Sequence, residues 1–310
     1  MPKETRPVLA VVNPASANKT TGRAWPSISA KLKAAGLEHE VRITSRPGEA
    51  TEITRKALLE GFRTIVAVGG DGTVNEVVNG FFDGEKWLGD GARLGLVNRG
   101  TGGDLIKTLG LPKDEDLAIE RLRAGEAKKL DLGRAKFTDH AGAKIVRHFI
   151  NIGDLGLGGD TVARVNRTTK ALGGKISFLW GTLATMAGYR NKDVEIVIDG
   201  AEPIRGRMCM VIVANGQYFG GGMRIAPDAV MDDGLFDVVT VGNLGKLELV
   251  MNIGKVYSGR HVGHPKIRFY RGKEVVVRSP QAAMIDLDGE QPGRTDVAFS
   301  ILPGRLDMIL

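Results

Sequence analysis

The chain has 310 residues, 42% hydrophobic, 25% charged and 5% aromatic, which excludes a disordered or collagen-like protein and suits about two domains with real cores. Forty-three Lys and Arg against 36 Asp and Glu give a formal charge of +7, a field that suits nucleotide, nucleic acid or anionic lipid headgroups. The single cysteine, Cys209, excludes an internal disulfide framework and a Cys-based zinc site, and its apolar run Met208–Ala214 predicts a small buried hydrophobe.

In chain order, Val8–Val12 reads as a buried strand ending at Asn13-Pro14. A helix follows at Ser27–Ala35, then a strand at His39–Thr44 and a helix at Glu49–Glu60. A third strand, Thr64–Val68, runs into Gly69-Gly70-Asp71-Gly72 and a helix carrying Val74, Val77, Val78 and Phe81. Arg93–Val97 is a fourth strand, and Glu115–Ala124 a further helix. This alternation predicts an α/β domain, a parallel sheet with helices on both faces, whose ligands sit at the carboxyl ends of the strands.

The rhythm changes near Leu132-Gly133, and the expected domains are 1–133, with about 302–310 returning to it, and 134–301. Strands are expected at Ala143–Asn151, Asp193–Ile198, Arg205–Ala214, Phe236–Val241, Lys266–Tyr270, Glu274–Arg278, Met284–Leu287 and Asp296–Ile301. Helices are expected within Asp160–Ala187 and at Lys246–Tyr257, with Gly156-Leu157-Gly158-Gly159 a loop. Many short strands separated by Gly and Pro predict a β-rich, antiparallel, sandwich-like second domain. Met1–Arg6 has no apolar signal-peptide core and no run approaches the ~20 residues of a membrane span, so a soluble, cytoplasmic protein is expected.

The stretch Gly69–Gly80 carries the strongest chemical signal. Thr73 and Glu76 have capping-box spacing, but that leaves three glycines around an acid unexplained. Glycines exposing backbone N–H groups at a helix N-terminus form an anion cradle, and an acid inside it calls for a divalent cation or a catalytic role. It is not a Walker A loop or a dinucleotide fingerprint. Gly100-Thr101-Gly102-Gly103-Asp104 repeats the design after the next strand, so both loops are expected to face one crevice. His261 and His264 lack a third zinc ligand.

Taken together, Gly69-Gly70-Asp71-Gly72-Thr73, Asn75-Glu76-Val77 and Asn79-Gly80 resemble the diacylglycerol/sphingosine-type lipid kinase family, in its bacterial soluble branch. Asn13-Pro14, Lys129–Gly133, Phe149-Ile150-Asn151, Ala226–Ala229, Asp232–Leu235 and Asp288-Gly289-Glu290 extend the resemblance nearly end to end. The first glycine loop is shared with NAD kinases and 6-phosphofructokinases; the ordered set is not. Three positions depart from the family's second loop, Pro-x-Gly-Thr-x-Asn-Asp-Phe: Asn98 stands for Pro, Gly103 for Asn and Leu105 for Phe. Lys19 and Arg99 are the expected compensating charges.

The resemblance implies an ATP- and Mg²⁺-dependent lipid kinase acting on a hydroxyl of diacylglycerol or a related lipid in an interdomain cleft. Asn13, Thr44, Gly69, Gly70, Asp71, Gly72, Thr73, Asn75, Glu76, Gly100 and Thr101 would serve the nucleotide. Asp71, Asp104 and Asp131 would form an acidic network about catalytic Mg²⁺. Asp233, with carbonyls of Val230 and Leu235, would hold a structural Mg²⁺, and Glu290 would be the general base. The protein would bind anionic membrane transiently at the inner face through Arg164, Arg167, Lys170, Lys175 and Arg190, with Phe178, Leu179 and Trp180 inserting or lining a lipid slot; Phe178, Leu179, Leu183 and Met186 alternatively face the core. The alternatives are a soluble-substrate kinase of the NAD kinase type and a non-catalytic lipid or nucleotide sensor. Dispersed basic residues and few aromatics argue against nucleic acid. Oligomeric state is open, a homodimer included.

Overall fold

Four apolar runs of the first half become parallel strands of one sheet. In the computed structural model, which describes residues 8–167, 181–182 and 184–310, the chain divides into two units, Met1–Leu130 with Gly304–Leu310, and Asp131–Pro303. In the first unit, β1 (Val8–Val12), β2 (His39–Ile43), β3 (Thr64–Gly69) and β6 (Arg93–Asn98) lie in the order β6-β3-β1-β2. Every pair is parallel, and Asp307 and Met308 add a further parallel partner alongside Arg93 and Leu94.

Leu9 to Val12 are completely buried, which requires cover on both faces. On one face Ala10 and Val12 meet Trp25, Ile28 and Leu32 of α1 (Thr20–Ala34) and Ile119 and Leu122 of α5 (Glu115–Ala124). Helices α2 (Glu49–Leu59) and α3 (Asp71–Gly80) pack against β1 and β3. A short hairpin, β4 (Phe82–Asp83) and β5 (Lys86–Trp87), follows α3, and α4 (Asp104–Thr108) follows β6. Helix α5 has the limits its sequence predicts: Asp114 accepts the Leu117 N–H at 2.9 Å, and left-handed Gly125 ends it. Helix α1 begins at Thr20 rather than Ser27, so Pro26 lies inside it. The ring removes one amide from the ladder without ending the helix, whose buried stripe continues through Trp25, Ile28 and Leu32.

In the second unit every strand pairing with a described register is antiparallel. The strands are β7 (Ala127–Asp139), β8 (Lys144–Phe149), β9 (Ile152–Gly156), β10 (Lys192–Ile198), β11 (Ile204–Ala214), β12 (Tyr218–Phe219), β13 (Met223–Arg224), β14 (Phe236–Gly242), β15 (Ile267–Gly272), β16 (Glu274–Arg278), β17 (Met284–Leu287) and β18 (Glu290–Ile309), with helices α6 (Leu157–Arg167) and α7 (Lys246–Tyr257). Alternate residues of β11 serve two cores. Val211 and Val213 meet Phe149, Phe236 and Phe299, whereas Ile212 and Ala214 meet Ile225, Val239 and Ile267.

Three expectations need correction. The strand read as Ala143–Asn151 stops at Phe149, and a separate β9 begins at Ile152, because the Ile150, Asn151 and Ile152 amides turn to the Asp288 carboxylate. The strand read as Asp296–Ile301 is part of β18, which passes through Pro292 and Pro303. Gly156–Gly159 is not a loop: left-handed Gly156 ends β9, and Gly158 and Gly159 lie in α6. A Cβ on Gly158 would meet Asp154 Oδ1 at 2.1 Å, and one on Gly159 the Met284 carbonyl at 2.1 Å, so α6 docks there only with glycine.

Candidate active site

The two glycine loops of the first unit touch backbone to backbone. Residues Gly69 and Asn98 are paired across β3 and β6, and the Arg99 N–H donates to the Gly69 carbonyl at 2.7 Å. A Cβ on Gly70 would lie 2.9 Å from Gly100 Cα, and one on Gly100 2.6 Å from Gly70 Cα. No side chain fits at either position without parting the loops, which pack main chain against main chain.

Residue Asp71 locks the loops together. Its carboxylate accepts the Asp104 N–H at 3.2 Å and the Leu105 N–H at 3.3 Å, at the start of α4. Burial, and then the Asp104 charge, raise the Asp71 carboxyl above its usual range, while these amides oppose the shift. Residue Asp104 is buried and receives Lys107 Nζ at 2.7 Å. Carboxylate oxygens are the ligands a hydrated Mg²⁺ takes, and Asp104 shares its own with the Lys107 ammonium.

The capping box does not form. The N-cap of α3 is Gly70, without a side-chain cap, and Thr73 Oγ1 instead accepts Asn13 Nδ2 at 3.0 Å. Residue Glu76 accepts the Ala50 N–H at 3.1 Å, at the start of α2. Its spacing from Thr73 satisfied the rule, but longer-range partners claimed both side chains. Buried Asn75 receives Asn79 Nδ2 on its carbonyl at 2.9 Å. Buried Thr44 joins β1 through its N–H to the Val12 carbonyl at 2.9 Å. Thr101 is exposed in the second loop. Ala17, Asn18 and Lys19 are all left-handed, at φ 51°, 55° and 69°. Such strain persists only when the surroundings over-determine it, and it concentrates at functional loops. Arg99 is paired with Glu115 at 3.4 Å rather than held as free charge.

Residue Asp131 belongs to the second unit and is joined to its 231–234 loop. Its N–H donates to the Met231 carbonyl at 2.7 Å, and its Oδ2 accepts the Gly234 N–H at 2.7 Å. Residue Asp233 accepts the Leu235 N–H at 3.0 Å through Oδ1 and pairs with Arg271 through Oδ2. Arg271 thus shares the carboxylate on which the family resemblance would place a structural Mg²⁺. Val230, whose carbonyl the resemblance would add beside that of Leu235, is exposed. No group of three or more His, Cys, Asp or Glu among the described residues could hold a metal.

The Asp288-Gly289-Glu290 motif works as one piece with Phe149-Ile150-Asn151. Residue Asp288, at φ 51°, turns the chain between β17 and β18 and accepts the amides of Ile150, Asn151 and Ile152 at 2.8, 3.0 and 2.9 Å. Residue Glu290, exposed, opens β18 directly after this turn. The sequence reading missed Asn215, wholly buried, whose Nδ2 donates to the carbonyls of Asp131 at 2.9 Å and Ile150 at 2.6 Å. Its only local sign is polarity at the end of an apolar run.

Also missed were Asp154 and Asp286, paired across β9 and β17 and both buried. Burial pushes Asp154 up to about 7 and raises Asp286 well above the carboxylate range. Two carboxyl groups in this position share a proton more readily than they ionise together. Gly289 N–H donates to Asp286 Oδ1 at 2.7 Å, connecting the pair to the turn before Glu290.

The second unit also holds an apolar pocket of about 100 Å³, lined by Met186, Met223, Ile225, Leu249, Ile253 and Val256 among others. Cys209 lies in its wall, its thiol pushed up to about 12 by burial. Nearby, His261 Nε2 lies 2.9 Å from the Ile225 carbonyl, and His264 3.5 Å from Glu248. Of the expected membrane contacts, Lys170, Lys175, Phe178, Leu179, Trp180, the alternative core residue Leu183 and the Arg167 side chain lie outside the described residues.

Residues 7–135 match the diacylglycerol kinase catalytic domain family, and residues 154–310 match the YegS C-terminal NAD kinase beta sandwich-like domain family. A curated diacylglycerol kinase of Bacillus subtilis is 28% identical over 301 residues, covering 97% of this chain and 95% of its own length. A crystal structure of a diacylglycerol kinase from Bacillus anthracis superposes with TM-score 0.71 at 22% identity, over 99% of this chain and 97% of that one. An NAD kinase from Archaeoglobus fulgidus, solved in complex with ATP, has TM-score 0.51 at 18% identity, over 97% and 92% of the two chains, a likeness of fold.

Proposed function

Because the chain belongs to the diacylglycerol kinase family and is a lipid kinase, we propose that it uses ATP and Mg²⁺ to phosphorylate a hydroxyl of diacylglycerol or a related lipid. The observation that carries this reading is the Gly70–Gly100 contact, locked by Asp71. It sets the main chain of both loops beside the start of α3, where amides without helical partners favour phosphate. The apolar lining of the second unit's pocket suits the hydrocarbon part of a lipid acceptor.

In this reading the glycine loops hold the phosphates, with Asn13 and Thr73 fixing the first loop from β1. Asp71 and Asp104 would hold Mg²⁺, which would supply charge neutralisation for the transferring phosphoryl group. Glu290 takes the hydroxyl proton as the lipid oxygen bonds to the γ-phosphorus and ADP leaves. The rest is positioning. The acceptor resides in a bilayer, so the enzyme meets it at the cytoplasmic face; no helix among the described residues is long and apolar enough to cross a membrane.

The test is a radiolabelled-ATP assay of Glu290→Gln and the wild-type protein against lipids in mixed micelles, with NAD⁺ and sugar phosphates as controls. Glu290→Gln is expected to lower kcat on a lipid alcohol by about 10²–10⁴-fold with the ATP KM unchanged. An unaltered kcat removes Glu290 from the chemistry, and phosphorylation of NAD⁺ in place of any lipid removes the acceptor assignment.

A further inference from the structure

Helix α7 is apolar on two sides. Its inward residues Leu249, Ile253 and Val256 line the apolar pocket. On its outer side Leu247 is 72% exposed, Val250 48% and Met251 63%. At about 100° per residue, these three and Gly254 form one stripe, with Lys246 along one border and Lys255 along the other. An exposed apolar stripe rimmed by charged residues is the usual mark of a surface that meets a partner or a membrane. Nothing among the described residues covers this stripe, to judge by its exposure.

We propose that α7 is a membrane-docking element that lies flat on an anionic lipid bilayer, its outward stripe at the acyl boundary and its flanking lysines on the headgroups. Charge favours this occupant. From Lys246 to Arg268 the chain has five Lys or Arg, all exposed, and one acid, Glu248. That acid is neutralised by Lys266 at 2.7 Å. The Lys246 ammonium also donates to the Ala187 carbonyl, leaving further N–H groups for phosphate. A second copy fits less well, because a two-fold contact through this stripe brings two sets of like charges together. Basic residues bordering an apolar face are the pattern of helices that lie in the bilayer interface. The inference rests on the lipid-acceptor reading in one respect: the other side of the same helix walls the pocket assigned to the hydrocarbon part of the acceptor.

The experiment is flotation of the full-length protein with phosphatidylcholine vesicles, with and without phosphatidylglycerol, beside the doubly substituted Leu247→Glu/Met251→Glu and the single Lys255→Glu. Thermal melting checks each fold, and sedimentation each oligomeric state. Binding to the phosphatidylglycerol vesicles is expected to fall at least about tenfold in the double variant and about fivefold in Lys255→Glu. Phosphorylation of diacylglycerol in those vesicles should fall in parallel, while a short-chain diacylglycerol dissolved as monomer is turned over within about twofold of wild type. Undiminished flotation of the double variant overturns the docking surface. So does a wild-type dimer that the double variant splits while vesicle binding persists, since the stripe is then a subunit interface. If no lipid is phosphorylated by any of the proteins yet flotation still depends on positions 247 and 251, docking stands and the acceptor assignment fails.

Discussion

The two units assemble their candidate residues by different means. In the first, the loops after β3 and β6 are adjacent because the strands are, and the decisive contact is steric: backbone on backbone at Gly70 and Gly100. In the second, the motifs are held by side-chain hydrogen bonds over long sequence separations: Asp288 on the amides of residues 150–152, Asn215 on Asp131 and Ile150, and Asp131 on Gly234. Parallel sheets deliver loops to one end by topology. An antiparallel sandwich delivers its loops to both ends, so polar connections must select which of them work together.

Replacing Asp288 by Ala tests the second arrangement most severely. It leaves three amides without their carboxylate and should cost about 3 kcal/mol or more, since a hydrogen bond to a charged group contributes about 1.5–3 kcal/mol. Urea unfolding measures the loss, and Asp288→Asn should recover part of it. A stability unchanged in Asp288→Ala would mean the turn holds itself.

For the first arrangement, Gly70→Ala places a methyl group 2.9 Å from Gly100 Cα. Overpacking of this kind costs about 1–3 kcal/mol, and here it should also raise the KM for ATP, because separating the loops spreads the amides intended for phosphate. A melting shift with an unaltered KM would confine the contact to packing.

The smallest expected effect is a pH dependence from Asp154 and Asp286. The Asp154 carboxyl is raised in the folded chain to about 7, whereas the unfolded chain releases this proton near the ordinary carboxylate value. The folded state therefore binds more protons in the interval, and stability falls as the pH rises from about 4 towards 7. Asn at position 154 offers Asp286 an amide donor at every pH, so Asp154→Asn should lose less stability across this window, by about 1 kcal/mol or more. Parallel wild-type and variant curves would show that the two carboxyl groups do not set this dependence.

What was legible in the sequence follows from the same contrast. Apolar period and loop punctuation are local, so α5, α7, β16 and β17 stand at their expected limits. The two glycine loops could be placed together from strand order alone. Cross-strand partners are not local: no spacing rule sets Asp154 beside Asp286, or brings Asn215 under Ile150 and Asp131. The Thr73–Glu76 spacing misled because Asn13 and the Ala50 amide, distant in sequence, compete for the same side chains. The amphipathic sequence of α7 predicts a helix, but only the fold shows that one apolar side is left uncovered.

The Asp288 turn also sets an order of events during synthesis. Its carboxylate lies 136 to 138 positions downstream of the amides it receives. On the ribosome those amides emerge long before their acceptor and stay hydrated in the interval. The Phe149-Ile150-Asn151 segment therefore reaches its final form only after translation has passed residue 288, and a nascent chain arrested earlier keeps it unset, however complete its first glycine loops.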